Sequence, residues 1–365
     1  MLLTRFALVA ALVAVGSAAS AAEHWVYLGV YTGKTEKDSK GIYRAKFDDA
    51  TGKMTEPELA AEMGSPSFVA ISANKKFLYA VGEGGGKEGG AVVAFALDAK
   101  TGALTKLNED KSGGGGPCHI AVSPKGDAVA IANYGGGSTC VFAVGTDGKL
   151  GKRIGFVQHK MGAKAPHGHC CAFDASGTTV FTVDLGLDKV KAFKIDAVKG
   201  LVEEESKDVA TPAGSGPRHI AVAPDGKFAY VCGELDSTVN VIDNGKVVQS
   251  LSTLPAPTKG NSTAECILSP NGKFVYVSNR GHNSIAVFKV GEDRKLTAAG
   301  HITGDIKTPR NFNIDPSGKW MLIASQAGEK VGVWELDAKT GGAKETGTTV
   351  KVSKCVCVKF VPVAK

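Results

Sequence analysis

Past its first 22 residues the chain has no apolar run long enough to cross a bilayer, it has no Cys-x-x-Cys, and it never places more than two Lys or Arg in succession. Each absence removes a class of function. A membrane helix needs about 20 apolar residues, so no span is expected in the body of the chain. Without a basic run, a net charge of +7 over 365 residues leaves no nucleic-acid footprint. Cys355-Val-Cys357 has no second ligand pair nearby, which argues against a zinc site. No Gly-x-Ser-x-Gly elbow occurs, so a serine nucleophile has no support. Proline is scarce at 14 residues against 47 Gly, yet apolar content stays at 43%, a composition of many tight turns rather than of disorder.

Residues 1–22 carry one cation, Arg5, then an apolar stretch from Phe6 to Val15 and small residues to Ala22. That is the layout of a secretory signal peptide, with cleavage expected near Ala21 or Ala22 and a periplasmic or secreted mature chain. Loss of Arg5 would leave +6, a surplus that suits an anionic small ligand at most. The eight cysteines sit almost entirely inside strand-like runs, where buried free thiols are expected rather than disulfides.

What the chain does have is a repeat. A reversal recurs as SPKG at Gly126, DASG at Gly177, APDG at Gly226, SPNG at Gly272 and DPSG at Gly318, and in degenerate form as SANK at Lys75, with spacings of 51, 51, 49, 46 and 46 residues. Each reversal lies between two apolar runs and a third follows, as in GSGPRHIAVAPDGKFAYVCGELDSTVNVID, where Val247 to Leu251 then adds a fourth. Each unit therefore reads as a four-stranded antiparallel meander. Six units are complete. The remainder, VYLGVYTG and GIYRAKF at the start and VSKCVCVKFV at the end, makes a seventh when put together. A ring closed by strands from both chain ends has no open edge. The expected fold is all-β, a seven-bladed β-propeller with no WD40 signature, forming a single domain over residues 23–365.

In a propeller the first strand of each blade lines the central channel, so the start of strand one and the end of strand two meet at one mouth. Residues facing each other across a hairpin have numbers summing to about twice that of the turn glycine. This pairs Arg218 with Glu234, His169 with Leu185, Cys118 with Tyr134, Ala264 with Arg280, Arg310 with Gln326 and Ser67 with Glu83. One ring of positions then holds a His, three Arg and two Glu, and polar groups converging on a concave mouth are the default site. Each residue also has a plainer reading. Arg218 and Glu234 form a cross-strand ion pair on this register. His167, His219 and His282 read as structural imidazoles, although His219 is also carried, with Arg310, Glu83 and Gln326, as a substrate contact. Arg280 and Arg310 have neighbouring carbonyls as alternative partners.

The segments GSGPRHIAVAPDGKFAYVCGELDSTVNV, YVSNRGHNSIAVF and TPRNFNIDPSG resemble the lactonase family of seven-bladed propellers, which includes propeller-type 6-phosphogluconolactonases and fungal 3-carboxy-cis,cis-muconate cyclases. The resemblance covers essentially the whole mature chain. It implies reaction at a small-molecule lactone without metal or organic cofactor, with His169, Arg218, Glu234 and Arg280 as the catalytic set. 6-Phosphogluconolactone arises in the cytoplasm, so a leader peptide points to an unphosphorylated aldonolactone or another lactone. The family's usual location leaves cytoplasmic as the alternative. In this reading His169 suits the proton transfers, Glu234 orients it or carries a second proton, and Arg218 keeps Glu234 ionised. Arg280 and Arg310 hold the oxyanion or an anionic group of the substrate. A carboxymuconate-type cyclase, or a non-catalytic propeller binding a protein or sugar, are the alternatives; fold alone does not choose.

Overall fold

The computed structural model describes residues 22–364 apart from 36, 37 and 85; the expected leader falls, up to residue 21, outside them. The described residues form seven antiparallel sheets. The first begins at the inner strand Phe68–Ile71 and runs outward through Phe77–Gly82 and Ala91–Leu97 to Leu104–Lys111. The next five repeat this order from inner strands Pro117–Val122, Gly168–Phe173, Pro217–Val222, Thr263–Leu268 and Pro309–Ile314. In the seventh, Cys355–Pro362 is innermost and pairs with Glu23–Val30, followed by Gly41–Asp48. The two chain ends thus share one blade, and their backbone groups satisfy each other where a free edge would otherwise stand.

The recurrent turn forms because its residues carry the conformation it needs. Gly126, Gly177, Gly226, Gly272 and Gly318 all have φ between 67° and 76°, the left-handed region that costs a glycine least, and the odd member Lys75 sits there at 60°. Lys75 is held by the same hydrogen bonds as its neighbours. Ser72 Oγ accepts the Phe77 N–H at 3.0 Å and Asn74 Oδ1 accepts that of Lys76 at 3.0 Å, as Ser269 and Asn271 do for Phe274 and Lys273.

Blades are tied to one another by a second repeat. Tyr27, Tyr79, Tyr230 and Tyr276, all on second strands, donate their hydroxyls to Gly102, Gly148, Arg294 and Gly341 carbonyls in the outer turn of the following blade, at 2.9 to 3.1 Å. At Gly341 there is no room for more than hydrogen, since a Cβ would stand 2.4 Å from the Phe274 ring. Tyr276→Phe removes one such tie while keeping the ring, and a loss of about 1 kcal/mol in urea unfolding is expected.

The inner strands do not pair straight through. Opposite Asn133 and Ala132 stand Pro117 and His119, opposite Asp184 and Val183 stand Gly168 and Cys170, and opposite Ser325 and Ala324 stand Pro309 and Asn311. One extra residue on the inner strand marks a β-bulge, and it recurs in the blades of Arg218, Ala264 and Val356. It always falls where the strand leaves the mouth. Strict alternation would send consecutive side chains to opposite faces. The bulge lets neighbours such as Arg218 and His219 face the same cavity.

Candidate active site at the propeller mouth

Bulged positions form one tier that includes Cys118, His169, Arg218 and Arg310, with Ser67 at the equivalent place just before its unbulged strand, and the next residues, among them Phe68, His119, His219, Glu265 and Asn311, form a second. A narrow recess opens on both and is lined by Tyr31, Ser67, Phe68, Glu83, Cys118, His169, Arg218, His219, Arg310 and Val356. Of the residues expected from sequence, His169, Arg218, His219, Glu83 and Arg310 therefore meet here. Glu234 and Arg280 join them through Arg218, while Gln326 ends the equivalent strand without lining the cavity. A larger space lies between the third and fourth blades. Its walls include Phe181, Val190, Ile220 and Ile242, with no imidazole or guanidinium among them.

Glu234 is gripped from two sides. Arg218 Nε lies 2.9 Å from Glu234 Oε2, and Arg280 Nη2 donates to Glu234 Oε1. The cross-strand contact anticipated for Arg218 and Glu234 is present, but it does not exhaust either group. Arg218 Nη1 also donates to the Ala264 carbonyl at 2.6 Å, and Arg280 Nη2 to the Thr263 carbonyl at 3.0 Å. Burial would raise the Glu234 carboxyl, but Arg218 and Arg280 outweigh it and hold the group below its ordinary range, so Glu234 stays ionised. That removes it as an acid. Ser67 Oγ, Arg218 Nε and Arg280 Nε are buried here without an aligned hydrogen-bond acceptor. Buried donors in that condition call for a ligand or water.

Arg310 takes a partner that the hairpin register did not supply. Its Nη2 donates to Tyr31 Oη at 3.0 Å, and that hydroxyl donates to Glu83 Oε2 at 2.8 Å. Burial pushes the Tyr31 phenol well above its ordinary range, so it remains a donor at neutral pH. Three guanidinium groups against two carboxylates leave one positive charge at the mouth, a field that favours an anion or a developing oxyanion.

The imidazoles stand together on another wall. His169 and His219 lie edge to face with centroids 5.4 Å apart, and Tyr134 meets His169 at 5.4 Å while stacking on His167 at 4.6 Å. Burial, then Arg218 and His219, hold the His169 imidazole well below the usual histidine range, so it is neutral. His219 lines the cavity, as a substrate contact would, while its Nδ1 is bound by Glu265 Oε1 at 2.8 Å. His282, by contrast, is spent on Ser284 Oγ at 2.7 Å.

His119 Nε2, Cys170 Sγ and one nitrogen of His219 approach within 4.8 Å of one another, a spacing a metal ion would accept. The protonation states fit poorly. The Cys171 N–H donates to His119 Nδ1 at 3.2 Å, which leaves the proton on Nε2, where it faces Cys170 Sγ at 3.4 Å. Burial also drives the Cys170 thiol upward, away from the thiolate a metal requires. All eight cysteines are buried and free.

Residues 25–360 match the family model described as Lactonase, 7-bladed beta-propeller. The chain is 34% identical over 348 residues to a 6-phosphogluconolactonase of Bacillus subtilis, covering 92% of this chain and 97% of that one. Among solved structures it is similar to the periplasmic gluconolactonase of Pseudomonas aeruginosa, with a TM-score of 0.87 and 28% identity over 94% of this chain and all of the other (100%). A protein from Lactobacillus plantarum gives 0.84 at 31% identity over 93% and 99% of the two chains.

Proposed function

The chain belongs to the lactonase family of seven-bladed β-propellers and is a lactone hydrolase, and from that premise we propose that it opens a sugar-derived lactone at the propeller mouth, giving an aldonate. The observation that carries this reading is the meeting of two neutral imidazoles, Arg218, Arg310 and the unpartnered Ser67 hydroxyl on one small cavity, with Arg280 joined to them through Glu234. The 6-phosphate or the unphosphorylated aldonolactone is the substrate class, and a leader over residues 1–22 favours the second.

Hydrolysis at an acyl carbon needs a base for water, donors for the tetrahedral oxyanion and a proton for the departing ring oxygen. The imidazole wall, His169 with His219, supplies the proton transfers. Arg280 and Arg310 offer donors to the oxyanion, and Glu234 fixes the Arg218 and Arg280 forks between two blades. These steps use side chains alone, without a metal ion.

The test is acid release from glucono-δ-lactone and its 6-phosphate by wild-type protein and by His169→Ala. Turnover well above buffer hydrolysis on at least one substrate, with kcat/KM lowered in the variant, supports the reading. Rates no better than buffer on both would leave a non-catalytic binding propeller. Export is tested separately, by the mass of the mature N-terminus recovered from the producing cell.

A pH dependence follows from the burial of the imidazoles. Their folded-state values lie below the ordinary 6.5, so the basic form persists to more acid solution than a free histidine allows. The acid limb of kcat/KM should therefore have its midpoint below about pH 6.5, measured at constant ionic strength.

A further inference from the structure

The two imidazoles of the wall are not equivalent, and the difference divides the labour of the lactonase reading, on which this inference rests. His169 has no carboxylate partner; its Nδ1 faces Cys118 Sγ at 3.8 Å. His219 has Glu265, whose Oε1 receives the Nδ1 proton at 2.8 Å. Glu265 is itself fully held. Its Oε1 also accepts the Cys266 N–H at 3.0 Å, its Oε2 accepts from Asn311 Nδ2, and Asn311 Oδ1 is fixed by the Val358 N–H at 2.8 Å. Four adjacent blades thus lock one imidazole in one tautomer, with its other nitrogen left on the cavity side. Nothing in blade packing calls for such a chain, since a buried polar network must be fully satisfied merely to match an apolar core.

We propose that His219 is the general base of the reaction and that Glu265 is its positioning carboxylate. His219 Nε2 takes a proton from water as the water oxygen bonds to the lactone carbonyl carbon, and the carbonyl π pair moves onto oxygen. Collapse of that oxyanion breaks the bond between carbonyl carbon and ring oxygen, and the proton on Nε2 passes to the ring oxygen. The product is the hydroxy acid, which ionises to solvent. Glu265 steadies the imidazolium between the two transfers, as a carboxylate behind a catalytic histidine does. His169 contacts the substrate beside it.

The groups facing His219 are Glu265, Arg218, Lys359 and the Cys170 thiol, with the rings of His119, His169 and Phe68 around it. Burial and the two cations lower its proton affinity and Glu265 raises it, with a net value below the ordinary one; Glu265 is itself held ionised. Taking Glu265 away must therefore lower the proton affinity of His219 further.

Steady-state kinetics of wild type, Glu265→Gln, His219→Asn and His169→Asn on glucono-δ-lactone, from about pH 5 to pH 8, test this. Glu265→Gln keeps the shape of the side chain. It should lose about 100-fold or more in kcat with KM little changed, and its acid limb should move to lower pH. His219→Asn should lose at least as much, which keeps the proposal exposed should Glu265→Gln fail to fold, as judged by circular dichroism. His169→Asn should lower kcat/KM and leave the acid limb in place. Turnover within about threefold of wild type in either Glu265→Gln or His219→Asn, or an acid limb that follows His169, would overturn the assignment. An inactive wild type would instead remove the lactonase reading itself.

Discussion

Arg218→Ala should cost the protein about 3–5 kcal/mol of folding stability, the expected loss for breaking a buried ion pair from one side. The Arg218 side chain is 2% exposed and spans two blades, reaching Glu234 in its own and the Ala264 carbonyl in the next. Truncation leaves that carbonyl with only the weak Cys232 thiol at 3.5 Å and Glu234 with Arg280 alone. Coulomb attraction to Glu234 holds the guanidinium charged more firmly than usual, against the penalty of burial. Arg218→Lys should fall between wild type and Ala, because an ammonium keeps the charge but cannot fork to two acceptors. Urea unfolding followed by circular dichroism gives the comparison. An unchanged midpoint for Arg218→Ala would mean that the pair contributes little across the blade junction.

Arg280→Ala should act mainly on rate. The side chain is 15% exposed, holds Glu234 and the Thr263 carbonyl through Nη2, and leaves Nε without an acceptor. If its remaining donors meet the oxyanion, the loss in kcat should be about 10² to 10³-fold, the effect of removing one preorganised donor from such a site. Burial and the neighbouring Arg218 lower its proton affinity while leaving it charged. The two arginines grip the same carboxylate, so their effects should not add: the double variant should be less impaired than the product of the singles. A kcat for Arg280→Ala within threefold of wild type would place the oxyanion elsewhere, with Arg310 and Tyr31 next in line.

The register of this fold is legible because five blades report themselves through a turn glycine and one through Lys75 in its place, and the split seventh blade shows in the complementary apolar runs at the two ends of the chain. The positions of His169, Arg218 and Arg310 at one mouth follow from the same arithmetic. Two things escape it. Tyr31 belongs to the blade whose inner strand comes from the other end of the chain, so no hairpin turn relates it to Val356. His219 and Glu265 stand one residue beyond the ring, where alternation along a strand would turn them away, and only the bulges bring them to the channel. A bulge leaves no fixed residue signature here, since Pro-Arg-His, Thr-Ala-Glu and Gly-His-Cys all accommodate it. Gln326 errs the other way, because a strand end at the mouth does not oblige a side chain to enter the cavity.

The most direct measurement is a crystal structure of the protein with gluconate, the product of glucono-δ-lactone opening, soaked at graded concentrations. The account predicts the acid in the channel mouth, its carboxylate within hydrogen-bond reach of Arg280 or Arg310 and of His219 Nε2. Gluconate held instead between the third and fourth blades, or on the outer rim with the mouth unchanged, would contradict it.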